Sequence, residues 1–235
     1  AITMPPKLVF TPTLEYYVEA LTGADFQKAF QNSMVVSLAS VAISIVIGAP
    51  FSYALSRYTK AGSFALLCVS LIFRSLPAMV FIIPYYYVAV NTGLFDTNLL
   101  LILIVTATNQ PFTVWMLRSF FITIPKSLDE AAMVDGCNRF TAFFRAICPV
   151  MGPGIAATAI FTFLNAYNEF LLASTLTSTH AMTLPVMVSQ LTTDNIRYWS
   201  VSAASSVLIA LPAIVITLVM QTRLVSGMTN GAVKE

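Results

Sequence analysis

The sequence predicts an all-α integral membrane protein, and three observations carry that expectation. Hydrophobic residues make up 57% of the 235 positions and charged residues only 9%. A soluble domain carries about a quarter charged residues, so this chain has too little polar surface to cover a water-soluble globule. Its apolar runs are about 20 residues long, the length an α-helix needs to cross a bilayer. Those runs do not alternate apolar with polar residues, as the strands of a β-barrel would.

Taken in order, residues 1–31, with Pro5, Pro6 and Pro12, read as a loop outside the membrane. The first of five expected spans is 33–56, where Gly48 and Pro50 predict a kink rather than an end. A short basic turn follows at 57–62. The second span, 63–90, contains Arg74, Pro77 and Pro84 and is expected to bend. Residues 91–96 form a turn. The third span, 98–122, is interrupted at Asn109-Gln110-Pro111. A polar segment, 126–147, separates it from the fourth span, 150–174. A long connector, 175–199, holds a short helix at 184–191 and leads to the fifth span, 200–225. Residues 226–235 form a tail. There is one domain and no repeat. The chain starts at Ala1 without a signal peptide, just before its first span, and a preceding segment is expected to be missing from it.

Because successive spans alternate sides, the basic residues separate. Arg57, Lys60, Arg118, Lys126, Arg139, Arg145, Arg223 and Lys234 share one side, and Lys7, Lys28 and Arg197 share the other. The more basic side is the cytoplasmic one. It holds the 126–147 segment and the C-terminus.

Several kinds of chemistry are disfavoured. A net charge of +2 gives no reason to expect a nucleic-acid partner. The three cysteines, Cys68, Cys137 and Cys148, are odd in number and lie in or beside apolar runs, so they form no disulfide framework. His180 is the single histidine, which leaves no His-based metal site. There is no Cys–His or paired-carboxylate constellation of the kind a membrane enzyme would use. The phosphate-binding pattern G-x-x-x-x-G-K-[ST] is absent, so the sequence offers no phosphate loop of that kind.

The 126–147 segment is the most helix-ready polar stretch of the chain. Pro125 ends the preceding span, and Ser127 with Glu130 forms the S-x-x-E pattern of a capping box. Gly136 stops that helix where a positive φ is needed. A second short helix carries Phe140, Phe143, Phe144 and Ile147 at spacings of three and four, which predicts one apolar face.

Glu130, Ala131, Ala132, Gly136 and Pro149 stand in register with the pattern E-A-A, three residues, G, nine residues, I-x-L-P. The segment therefore resembles the EAA loop of permease subunits of ATP-driven, binding-protein-dependent importers. Ala146 and Cys148 depart from the Ile and Leu of that pattern. Asp135 and Phe143 fit its longer carbohydrate-importer version. The stretch Pro12–Tyr17 followed by Asn32-Ser33, the stretch Asn165–Phe170, and the tail with Gly227, Thr229, Gly231 and Lys234 are similar to the maltose-type inner-membrane subunit.

The resemblance implies a six-span fold of which this chain lacks the first span, and a site on the bacterial inner membrane. It implies a complex with a second permease subunit as a heterodimer, two ATPase subunits that hold ATP and Mg, and an extracytoplasmic solute-binding protein. This chain itself would need no cofactor or metal. Glu130, Ala131, Ala132, Asp135 and Gly136 would contact an ATPase, and Gly227, Thr229, Gly231 and Lys234 would reach toward its interface. The carried solute would be a carbohydrate; a polyol, glycerol derivative or glycerol phosphate is the alternative within the family. An ion-coupled secondary transporter is the alternative from another class, and it expects paired acids within the spans.

Polar residues inside spans are costly and commonly face a cavity or a partner. Arg74 is open to a role in the path, a pairing, or a snorkelled position at the interface. Asn109 and Gln110 either contact solute or satisfy backbone groups freed at Pro111. Asn165, Tyr167, Asn168 and Glu169 combine donors, acceptors and an aromatic face, as recognition of a neutral polyol requires.

Overall fold

The computed structural model describes residues 11–57, 61–191 and 196–229. Helices run through these residues in the order α1 (Glu15–Thr22), α2 (Ala24–Arg57), α3 (Ala61–Ser75), α4 (Met79–Asn91), α5 (Asn98–Thr123), α6 (Ser127–Val134) and α7 (Arg139–Ala142). A π-helical turn, Phe143–Ile147, leads into α8 (Cys148–Val150) and α9 (Gly152–Tyr167), followed by α10 (Leu171–Leu176), α11 (Leu184–Gln190) and α12 (Ile196–Thr229). No strand occurs among the described residues.

Three stretches are long and apolar enough to cross a membrane singly: Ala24–Arg57, Asn98–Thr123 and Trp199–Val219. Two more qualify as broken pairs, Phe64–Ser75 with Met79–Asn91 and Arg139–Val150 with Gly152–Tyr167. The second pair bends by 78°. The breaks have local causes. Pro77 lies in the gap between α3 and α4, where a proline excludes helical geometry from the residue before it. Pro84, Pro50 and Pro111 each sit inside a helix without ending it.

Several expected bounds are corrected. Residues 1–31 are not a loop throughout: α1 and the start of α2 occupy 15–31. Ala20, Phe26 and Ala29 are buried there with Leu184 and Met187 of α11, so apolar packing overrides the proline-rich beginning. Helix does not continue from 150 to 174, because residues 168–170 separate α9 from α10. The expected tail is helical to Thr229, since α12 runs four residues beyond 225.

The chain forms two compact units. One comprises Ala1–Ser37, Ala78–Leu103 and Tyr167–Ile216; the other comprises Leu38–Pro77, Ile104–Ala166 and Thr217–Glu235. In the second unit, α2 packs on α5 through small residues. Ser40, Ser44, Gly48, Ser52 and Ser56 follow one another at helical spacing, and the four serines are buried. A Cβ on Gly48 would come within 3.1 Å of Gln110, 3.3 Å of Thr113 and 3.4 Å of Leu117. The Ser52 hydroxyl donates to the Val114 carbonyl at 3.0 Å. Small residues of this kind let helix backbones approach where lipid removes the usual hydrophobic drive to associate. α9 packs on α5 as well: Gly154 seats against Phe120, and the buried hydroxyls of Thr113 and Thr162 meet at 3.0 Å.

Candidate functional site

The helix pair formed by α6 and α7 is built by its capping residues. Gly136 has φ +87°, and a Cβ there would meet nothing within 4 Å, so its role is conformational. The Cys137 N–H donates to the Ala132 carbonyl at 3.0 Å and the Gly136 N–H to the Met133 carbonyl at 3.1 Å. Those two bonds are a Schellman stop. Asn138 then restarts the helix, its Oδ1 accepting the Thr141 N–H at 2.8 Å. The capping box expected at Ser127 does not form: Ser127 is the first helical residue, and the N-cap position is taken by Lys126, whose side chain makes no capping bond. Pro125, with its carbonyl accepting from Leu128, already sets the entry.

The expected apolar face of the second helix divides in two. Phe143 and Ile147 are buried in a cluster with Ala49, Leu117, Phe121, Ile124 and Met151. Phe140 is 72% exposed and Phe144 is 50% exposed. A π-helical turn begins at Phe143, and in it the Cys148 N–H reaches the Phe143 carbonyl rather than that of residue 144. A π turn carries one residue more than an α turn, so the register changes for the residues that follow Phe143.

Of the five residues expected to meet a partner, Glu130, Ala131, Asp135 and Gly136 are exposed. Ala132 is buried within the chain. Val134, which the sequence reading did not single out, is 87% exposed.

Under this surface lies a charged group that the sequence reading also passed over. The Arg57 guanidinium, at the end of α2, pairs with the Asp129 carboxylate at 2.8 Å; their side chains are 10% and 12% exposed. Its Nη1 donates to the carbonyls of Phe121 at 3.2 Å and Ile124 at 3.1 Å, at the end of α5. A cation at a helix C-terminus meets the negative end of the helix dipole and the carbonyls left without intrahelical donors. The Tyr53 hydroxyl donates to the other Asp129 oxygen. The Tyr53 ring packs on Phe121 and Phe143 at centroid distances of 5.7 and 5.0 Å. A cavity of about 200 Å³ opens beside these groups, lined by Tyr53, Arg57, Lys126, Asp129, Glu130, Met133, Arg139 and Ala142.

The other unit carries a second polar cluster. Asp96 has φ +58°, a region Asp tolerates better than most residues. Its carboxylate accepts the backbone N–H groups of Ser178, Thr179, His180 and Ala181 at 2.9–3.2 Å. Burial pushes the Asp96 carboxyl upward, but the four amides outweigh it and hold the group at about 2, below its ordinary 3.8. Asn32 donates to the carbonyls of His180 and Met182 at 2.9 and 3.0 Å and accepts from Asn98 at 2.9 Å. The connector after α10 is thus tied down before α11 begins.

The residues expected along a solute path differ in their local surroundings. Arg74 is exposed on α3; it donates to the Thr108 carbonyl at 3.2 Å and stacks over Phe112 at 5.4 Å. Asn109 is buried. Gln110 donates to the Ser44 carbonyl on α2 at 3.3 Å, so it joins two helices and does not serve the backbone freed at Pro111. The Tyr167 ring is buried and its hydroxyl donates to the Ile209 carbonyl at 3.2 Å, a structural role. Glu169 accepts the Leu172 N–H at 3.0 Å and so caps α10. Asn168 is exposed and Asn165 half-buried. Gly227 and Thr229 fall in α12, and Gly231 and Lys234 lie outside the described residues. No cluster of three or more potential metal-ligating residues occurs among the described residues.

Comparison with known proteins gives consistent results. The family model "Binding-protein-dependent transport system inner membrane component" matches residues 40–230. The chain is 37% identical over 233 residues to a probable ABC transporter permease protein, y4oR, of Sinorhizobium fredii, covering 99% of this chain and 84% of that protein. It is 33% identical over 236 residues to the sulfoquinovosyl glycerol transport system permease protein SmoH of Agrobacterium fabrum, covering 99% and 83%. Among solved structures, a bacterial ABC transporter involved in the import of the acidic polysaccharide alginate superposes with a TM-score of 0.77 at 20% identity, over 93% of this chain and 84% of that one.

Proposed function

The chain belongs to the family of binding-protein-dependent transport system inner membrane components, and on that premise we propose that it forms half of the path by which a sugar or related carbohydrate enters a bacterial cell. It is a multi-pass ABC-transporter permease, a transport component of the inner membrane. ATP and Mg belong on separate ATPase subunits, and a second permease and an extracytoplasmic solute-binding protein complete the assembly. The C-terminus and the α6–α7 unit face the cytoplasm, where the basic residues of the chain collect.

The observation that carries the reading is the exposed surface of the α6–α7 unit. Val134 and Phe140 stand out from a polar, glycine-broken helix pair whose inner side is fixed by Phe143, Ile147 and the Arg57–Asp129 pair. Exposed aromatic and aliphatic groups on a rigid base, flanked by the charges of Glu130 and Asp135, suit the core and rim of a protein interface. By family resemblance that interface is with an ATPase. Movement of the docked ATPases is then passed to the spans, which alternate access without chemistry in this chain. The carbohydrate class is supported by the maltose-type motifs and by the sulfoquinovosyl glycerol system of the relative SmoH. An anionic or phosphorylated glycerol derivative is the second reading, favoured by one observation: the Arg74 guanidinium is exposed on an apolar helix and is met by a neutral carbonyl and an aromatic ring, where a charge is costly.

The test is replacement of Phe140 by Ser and of Val134 by Asp, followed by co-purification with the ATPase and measurement of ATP-driven uptake. Both should fall together with little change in thermal stability. Full ATPase capture and full uptake by the double variant would overturn the docking assignment. Cargo is identified by which neutral or anionic sugar stimulates ATP hydrolysis by the reconstituted complex in the presence of its binding protein.

A further inference from the structure

We infer that the Arg57–Asp129 pair, held by Tyr53, is the joint through which the α6–α7 unit moves the ends of α2 and α5; this rests on the coupling role proposed above and names the residues that transmit it. The geometry places three elements on one guanidinium. Arg57 is itself the last residue of α2. Its Nη1 holds the carbonyls of Phe121 and Ile124 at the end of α5, and its Nη2 holds Asp129 in the first turn of α6. Displacing α6 therefore pulls on two spans at once, through the ion pair to Asp129 and the two hydrogen bonds to the α5 carbonyls.

Stability alone is a poor account of this arrangement. A buried ion pair loses much of its Coulombic gain to desolvation, and apolar side chains of similar volume often serve a core as well. The adjoining cluster of Phe121, Phe143 and Ile147 already supplies apolar packing. The ion pair adds orientation, since the two α5 carbonyls fix Nη1 of the guanidinium and so hold its charge against Asp129. Tyr53 completes the lock: one face of the residue packs on Phe121 and Phe143, and its hydroxyl fixes the free Asp129 oxygen. Arg57 and Asp129 are thus positioning residues; neither touches solute or ATP.

The geometry also selects the discriminating variant. Removing Arg57 strips the α5 carbonyls and strands a buried carboxylate, which damages the fold itself. Asp129→Asn is gentler: Arg57 keeps its two carbonyl partners at a favourable helix end, while the ionic link to α6 is lost. Asp129→Glu keeps the charge and tests rescue. Tyr53→Phe keeps the ring packing and removes only the hydroxyl.

Each variant is made in the whole complex with its second permease and ATPases, reconstituted in proteoliposomes. Two quantities are read: the amount of assembled complex, and the ratio of Mg-ATP hydrolysis with the isolated binding protein to hydrolysis without it. That ratio requires communication through the permeases, and a merely structural defect lowers assembly without changing it. Asp129→Asn should assemble and lose about tenfold in the ratio, within the usual range for coupling between sites. Asp129→Glu should recover most of the loss, and Tyr53→Phe should fall between. An unchanged ratio in Asp129→Asn, or a loss fully accounted for by poor assembly, overturns the joint. If the unmodified complex captures no ATPase or shows no stimulation, the coupling role itself fails, and the joint with it.

Discussion

Replacing Asp96 by Asn isolates a single charge, because Asn also tolerates the left-handed backbone at this position and matches Asp in size. The native carboxylate accepts from four successive amides, at residues 178–181. The Asn side chain offers one carbonyl oxygen, and its NH₂ group opposes the second set of donors. The displacement of the carboxyl from 3.8 to about 2 corresponds to about 2.4 kcal/mol at 1.36 kcal/mol for each pH unit. Asp96 is partly open to solvent, and screening reduces that to on the order of 1 kcal/mol. The sign follows from a lowered pKa. The contribution is fully present above the unfolded value near 4 and is lost as pH falls through about 2, so it is constant across the neutral range. Amide hydrogen exchange at 178–181 reads it directly. Those amides should exchange roughly fivefold faster in Asp96→Asn, by the relation of about 1.4 kcal/mol to a factor of ten, whereas amides in α5 should not change. In the native protein the same acceleration should begin only below about pH 4. Equal protection in the two proteins at pH 7, or a loss of protection in the native protein near pH 6, would refute the assignment of the carboxylate as the anchor.

Three further outcomes follow from local geometry. In Gly154→Ala the new Cβ would lie 2.8 Å from Cγ and 2.9 Å from Cβ of Phe120. Because that ring cannot swing clear of its own Cβ, the melting midpoint in detergent should drop, reflecting about 1–3 kcal/mol of overpacking; an unchanged midpoint contradicts the close contact of α5 and α9. Gly136→Ala meets no atom within 4 Å, so its cost is the strained φ alone, about 1–2 kcal/mol, and Gly136→Asn should recover part of it; exchange at the Gly136 and Cys137 amides measures both. Asn138→Ala removes the bond to the Thr141 N–H and should destabilise α7 by about 1 kcal/mol, seen as faster exchange at Thr141 with little change in α6.

What the sequence disclosed and what it hid divide along a physical line. Composition and run length are sums over neighbours, and they were enough for an all-α membrane fold. Gly136 was legible because a positive-φ stop is written in one residue. The two polar anchors were not, because their partners lie far apart in the chain: Tyr53 and Asp129 are separated by 76 residues, and Asp96 and Ser178 by 82. Asp96 read as an ordinary turn residue, and Arg57 as part of a basic turn. A hint did exist for the α2–α5 contact, since serines recurring every three or four residues along a span mark a close-packing face, although the apolar residues between them dominate the local pattern. The N-terminal stretch was misread for the opposite reason. Its prolines are local signals, whereas the helix at 15–22 is held by Ala20 packing with α11, over 160 residues away in sequence and invisible to periodicity.

The two departures from the E-A-A pattern, Ala146 and Cys148, bear on whether the brace under the α6–α7 unit is loosened. A packing defect would show as an apolar anchor missing from the cluster beneath Phe143. Yet that cluster is filled by Ile147, which is fully buried, while Ala146 and Cys148 are only partly covered. The π-helical turn explains the exchange. By taking one residue more between Phe143 and Cys148, it brings Ile147 inward at the point where the pattern places an isoleucine one residue earlier. Cys148 then packs at the margin of the cluster, where a small side chain suffices. The brace is therefore kept by a change of helical register, and its rigidity rests on Phe143, Ile147 and the Arg57–Asp129 pair. Phe140 and Phe144 are exposed beside it, packed edge-on against each other at 4.8 Å. The turn thus repairs the interior, while the aromatic surface offered outward starts in the helix before it.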